Sequence, residues 1–275
     1  MKTMKLKSIF LLTAILIFAL TSCEKSSFES NNEAILTTEE ASSADGLFDD
    51  ADDQSEIYDD NEYKSTEDLS YCQPTITIEY PEGTPYPRIV TIDFGNDGCE
   101  GRNGRVRKGI IIYTLTNDFS ELGSQRIISF DNYYVNDFKI EGSKTITNTG
   151  INEIGNLTRK IEVNGQITTP EGNVIIRNAI RYKELIEGFG TPEDHWDDVF
   201  SITGTASGIN SNGNSYESEI IEPLIKARNC KWVQTGILSI ISDENTITID
   251  FGQGTCDNVA TATINGEEKE IKFRW

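Results

Sequence analysis

A single histidine limits what this 275-residue chain can catalyse. Any Ser-His-Asp or Cys-His constellation must use His195, because a nucleophile needs a base within hydrogen-bond reach. His195 lies in Glu193-Asp194-His195-Trp196-Asp197-Asp198, whose imidazole and four carboxylates are suitable donors for a divalent metal. Strand alternation would split them, leaving 193, 195 and 197 on one side, so the segment reads as a solvated acidic loop with no metal assigned. Paired carboxylates offer glycoside hydrolysis, in which one acid protonates the leaving group and a second faces it across the bond. Asp93 and Asp250 are the obvious pair, since each sits in a copy of Thr-Ile-Asp-Phe-Gly. Both point away from their strands' apolar faces, and capping the following turn is their simpler role. Trp196, Trp232, Trp275, Tyr133 and Tyr134 are available to stack on sugars, although large aromatics mostly fill cores. There is no Gly-x-Ser-x-Gly elbow and no phosphate loop. The sequence therefore assigns no catalytic residue and no cofactor.

Chemistry of another kind is written at Cys23. Lys2, Lys5 and Lys7 precede an apolar run from Ile9 to Leu20, the layout of a signal peptide over residues 1–22. The run is too short to cross a bilayer, which takes about 18 or more apolar residues. It ends in Leu20-Thr21-Ser22-Cys23, which resembles the bacterial lipobox. That resemblance implies cleavage before Cys23 and acylation of its thiol. Each buried CH₂ of an acyl chain contributes about 0.8 kcal/mol, so two or three chains hold stably to a membrane.

Charge divides the rest. Between Glu24 and Tyr71 there are 16 Asp and Glu against Lys25 and Lys64, a net of −14, whereas residues 72–275 carry −10. With few apolar residues to offset the entropy of ordering, 23–71 reads as the lipidated cysteine followed by a disordered acidic tether. Asp50-Ala-Asp52-Asp53-Gln54-Ser-Glu56 lacks the glycine that lets an EF-hand loop turn, so calcium is not assigned. The acidity excludes nucleic acid, whose binding needs clustered Lys and Arg. Arg102, Arg105, Arg107 and Lys108, around Asn103-Gly104, read as a solvated hairpin tip.

From Cys72 onward the pattern alternates with period two. Val90, Ile92 and Phe94 alternate with Thr91 and Asp93, and Ile247, Ile249 and Phe251 with Thr248 and Asp250, as half-buried strands do. Asn-Gly at 103, 164, 212 and 265 supplies the positive φ of type I′ hairpins. Lys160–Val163 and Gln166–Thr169 around Asn164-Gly165 read as one hairpin, and the strands around Asn265-Gly266 as another. About a dozen short strands predict one antiparallel all-β domain over 72–275, a meander whose closure as barrel, sandwich or open sheet the pattern leaves open.

The domain's ends are related. Thr91–Gly95 precedes Cys99 as Thr248–Gly252 precedes Cys256, and Cys72 and Cys230 lie 21 and 20 residues before Asp93 and Asp250. Residues 72–116 and 230–275 thus read as copies of one unit. Four cysteines remain beside Cys23, which allows three pairings in an oxidising compartment. The repeat favours Cys72–Cys99 and Cys230–Cys256, each across the open end of a hairpin. Tyr133-Tyr-Val-Asn-Asp137, Glu141-Gly142, Thr203–Gly208, Asn212-Gly213 and Cys256-Asp-Asn258 resemble a group of lipoproteins from Bacteroidota without an assigned activity. The resemblance implies export and an outer-membrane location, lipid-anchored on the periplasmic face or the cell surface.

The expected function is a non-catalytic domain that binds or scaffolds an envelope component or glycan, tied to the membrane through Cys23. The alternatives are a barrel carrying an apolar ligand and a glycan hydrolase acting through Asp93 and Asp250. A carrier requires an apolar cavity of several hundred Å³.

Overall fold

The computed structural model describes residues 21–58, 72–101, 104–191, 195–242 and 245–273. They form one helix, α1 (Thr21–Ile57), and fourteen strands. The first seven are β1 (Thr75–Glu79), β2 (Arg88–Asp93), β3 (Cys99–Glu100), β4 (Val106–Leu115), β5 (Gln125–Val135), β6 (Phe138–Ile151) and β7 (Leu157–Thr168). The others are β8 (Val174–Glu187), β9 (Val199–Ile209), β10 (Ser215–Ala227), β11 (Thr235–Ser242), β12 (Asn245–Gln253), β13 (Val259–Ile264) and β14 (Glu267–Lys272). Apart from β3, which pairs only with β4, each strand lies antiparallel to the next, in an open meander from β1 to β14. The all-β class is thus realised as an unclosed sheet. Its strands are longer than expected, with β6 and β8 at 14 residues each.

The sheet curls around α1. Helix and strands touch at β4 near one edge and at β14 on the other. Leu47, Phe48, Asp50 and Glu56 point to different sides of α1 at about 100° per residue, yet all four are buried, so the sheet covers the helix on every side there. Two apolar clusters line the resulting trough. One joins Leu47, Phe48, Ala51 and Tyr58 to inward residues of β2 and β4–β9, and the other joins Ala34 and Ala41 to those of β10–β14.

The acidic segment is therefore not a disordered tether over residues 21–57; positions 59–71 lie outside the described residues. Charge count alone concealed a helical pattern. Ala34, Ala41, Ala44, Leu47, Phe48, Ala51 and Tyr58, spaced by threes, fours and sevens, are all buried, and alanines let a helix approach a sheet closely. Four buried hydroxyls are satisfied within the helix itself: Thr37, Thr38 and Ser43 donate to carbonyls four residues back, and Ser55 to one three back.

Asn164-Gly165 is no turn either. Both residues lie inside the continuous β7, where Gly165 pairs with Gly142 on β6 and Arg177 on β8. A Cβ on Gly165 would fall 2.5 Å from a ring carbon of Phe48 and 2.5 Å from the Glu141 carbonyl oxygen. The glycine makes room for the helix rather than for a bend. Asn265-Gly266 does form its hairpin, with φ of 52° and 84° between β13 and β14, and Asn212-Gly213 lies in the β9–β10 turn. Asn103 lies outside the described residues.

The related units occupy opposite edges of the sheet. Disulfides join Cys72 to Cys99 and Cys230 to Cys256, with Cα separations of 5.1 and 5.8 Å, across the open ends of the β1–β2 and β11–β12 hairpins. These are the pairings that the repeat favours. Phe94 and Phe251 hold equivalent buried positions. Among the described residues no helix is long and apolar enough to cross a membrane.

Candidate functional site

β8 is inside out by the usual rule. Its inward positions carry Arg177, Arg181 and Lys183, all buried, while Ile176, Ile180 and Tyr182 face outward and are exposed. Buried cations need partners, and α1 supplies them. Asp45, Asp49, Asp52 and Glu56 recur at intervals of four, three and four, so they share one helix face. Asp45 accepts from Arg177 Nε at 2.9 Å and Nη2 at 2.5 Å, and from Arg181 at 3.2 Å. Asp49 bridges Lys144 at 3.1 Å and Lys226 at 3.3 Å. Asp52 lies 3.4 Å from Lys183. Glu56 pairs with Arg159 and Arg228, with Arg126 at 3.6 Å.

On another side of α1, Asp50 takes Arg107 Nε at 2.8 Å and Nη2 at 2.6 Å, Arg105 at 2.5 Å, and the Tyr133 hydroxyl at 3.4 Å. Arg105 and Arg107 are therefore buried structural cations, which corrects the solvated-tip reading of 102–108. In that stretch Lys108 does reach an exposed partner, Asp137, and Arg102 lies outside the described residues. Among the described residues, ten cations of the sheet side meet six carboxylates of α1, counting Asp53 beside Arg228 at 3.5 Å. Further up the helix, the side-chain amides of Asn210, Asn212 and Asn214 converge on Glu33.

Burial opposes ionisation of these acids, and the cations outweigh it. Asp49 is held far below the ordinary carboxylate range by Lys144 and Lys226, and Asp50 by Arg107 and Arg105. Asp45, Asp52 and Glu56 are lowered in the same way, against the same desolvation. Asp53 is the exception, raised because burial there exceeds the pull of Lys226 and Arg228.

Seating of the helix is open to direct test at Gly165. Gly165→Ala is expected to cost about 1–3 kcal/mol, as overpacking does, seen as a lower urea midpoint. An unchanged midpoint would mean that Phe48 does not rest on β7.

The outer face presents a different surface. A depression of about 670 Å³ crosses β6–β11. One transverse row runs Glu162, Ile180, Thr205, Glu219, Ser239 by register. The next holds Asn178, Ser207, Glu217 and Ile241. Small Thr and Ser side chains leave room between the carboxylates, and Ile180 and Ile241 are 44% and 52% exposed.

The residues singled out earlier fall elsewhere. Asp93 and Asp250 lie on the outer face, nine strand positions apart on a sheet whose curl spreads outward side chains further. Each accepts a 2.8 Å hydrogen bond from the backbone N–H of the glycine two residues on, Gly95 and Gly252. No shared cleft joins them. His195 sits in a 3₁₀ turn, His195–Asp197; Asp197 accepts from Thr191, and Asp198 lies 3.3 Å from Arg228. Glu193, Asp194 and Trp275 are outside the described residues, and among those described no three metal-ligating side chains converge. Tyr133 is fully buried, stacked on Phe130, Trp232 lies under Lys231, and Trp196 is exposed. The cavity beside α1 holds about 70 Å³, well short of what an apolar carrier requires.

The chain matches no family model, no curated protein and no solved structure.

Proposed function

We propose that the chain is an exported lipoprotein, acylated on Cys23 and carried at the outer membrane, whose β domain binds or scaffolds an envelope component without catalysing a reaction. The depression on the outer face supports the binding reading most directly. It is an open hollow on the face of the sheet turned away from α1, and exposed apolar side chains within a polar frame are characteristic of interaction sites. Two disulfides suit an exported protein.

Anchor and domain are mechanically continuous in this reading. From Cys23 to Glu33, the first of the described helix side chains bonded to the sheet side, α1 spans about 15 Å at 1.5 Å per residue. The domain is held at a set height by a rod rather than drifting on a flexible chain. Cys23→Ala is expected to abolish palmitate labelling and release the protein from the membrane fraction; retention of that variant in membranes would contradict the anchor. For the surface, a photoreactive residue at Ile180 or Ile241 should crosslink in cells to one envelope component, while the same residue at exposed Leu122 should not. Equal crosslinking from all three positions would remove the outer depression from consideration.

A further inference from the structure

The small cavity beside α1 is a second candidate site, and its charge does not balance. It is enclosed between Ser42, Asp45, Gly46 and Asp49 of the helix and the sheet side, where Lys144, Arg181, Lys183, Lys226 and Lys231 contribute to its wall. Five cations thus share the wall with two carboxylates, while Asp52 behind it takes Lys183 at 3.4 Å and Lys144 at 3.8 Å. Asp45 is shared between Arg177 and Arg181, and Asp49 between Lys144 and Lys226, so neither has a full charge to spare. Arg181 is 6% exposed, yet its Nη1 has no hydrogen-bond partner, and neither has the buried Oγ of Ser42. Lys231 contacts the Trp232 ring at 4.7 Å, and no carboxylate is paired with it among the described residues. Burial depresses both Arg181 and Lys231, and Arg105 adds to the effect on Lys231.

A buried guanidinium nitrogen and a hydroxyl without acceptors, beside an excess of positive charge, define a place for an anion. The remaining wall selects its kind. Leu224, Val233, Phe251 and Phe273 also line the cavity. They offer nothing to a fully hydrated dianion, but they suit a short alkyl group. We propose that this cavity binds a short-chain carboxylate, its oxygens taken by Arg181, Lys231 and Ser42 and its alkyl group laid against the apolar wall.

Propionate and inorganic phosphate are the probes, titrated separately into the protein by calorimetry at constant ionic strength set with chloride. Saturable one-to-one binding of propionate is expected, weakened at least tenfold in Lys231→Met and in Ser42→Ala. Neither substitution removes a partner from the carboxylates of α1, and the two variants check each other should one of them fold poorly. Absence of saturable propionate binding, or binding unchanged in both folded variants, would overturn the proposal. Saturation by phosphate but not propionate would overturn the carboxylate assignment.

Discussion

Asp50→Ala is expected to destabilise the protein by about 3–5 kcal/mol, the cost of removing one partner from a buried ion pair. The carboxylate is 1% exposed, and it holds two guanidinium groups that are themselves 3% exposed. Without it, Arg105 and Arg107 keep their charge in a site from which water is excluded. Asp50→Asn should fall between wild type and alanine, because an amide still accepts hydrogen bonds but balances no charge. The exposed Lys108–Asp137 pair is the internal comparison. Asp137→Ala should cost no more than about 1 kcal/mol, as surface pairs do. Urea unfolding of the three variants decides the matter: equal losses at positions 50 and 137 would show that the helix is not seated on β4.

Acid should release α1. Asp45, Asp49, Asp50, Asp52 and Glu56 all have lowered pKa values when docked, against ordinary values of 3.8 for Asp and 4.5 for Glu. The undocked helix therefore binds protons first. Their contribution is fully present above about pH 5 and is lost as pH falls through the ordinary range toward the lowered values. Asp53 acts in the opposite sense, since its raised value favours the docked state on acidification, but it is one group against five. If only two of the five take up protons across the window, docking weakens by about 2.7 kcal/mol per pH unit. Limited proteolysis followed across pH 6 to 3 should show cleavage within 32–57 appearing below about pH 4.5, while the disulfide-bonded edges stay protected. Protection of α1 that is constant down to pH 3 would rule out ion pairing as its main hold.

The sheet was legible because its signals are local. Val90, Ile92 and Phe94 declare an inward face two residues at a time, Asn265-Gly266 declares its own turn, and the cysteine offsets declare a repeat. The helix was not legible by counting charge, since a segment with sixteen carboxylates resembles a solvated chain until its partners are known. Those partners lie on different strands, and no single stretch of sequence shows ten cations converging. Only the spacing of Asp45, Asp49, Asp52 and Glu56, beside the alanine stripe, carried the information. β8 departs from the ordinary pattern for a related reason: its apolar Ile176, Ile180 and Tyr182 face outward, because the docked carboxylates draw Arg177, Arg181 and Lys183 inside. At Gly165 a strong turn signal was overridden by a tertiary contact, the ring of Phe48.

The array joining α1 to the sheet also has a consequence in time. Its partners stand far apart along the chain, from 55 positions for Asp50 and Arg105 to 177 for Asp49 and Lys226. Contacts of such range form slowly, because chain closure must precede any gain from them. α1 comes first in chain order among the described elements, yet the surfaces that receive it are complete only when β14 is in place. Until then, clustered arginines and lysines repel one another across the unfinished concavity and oppose its collapse onto itself. The first of the described elements is thus the last to be seated, a template around which the two halves of the sheet close.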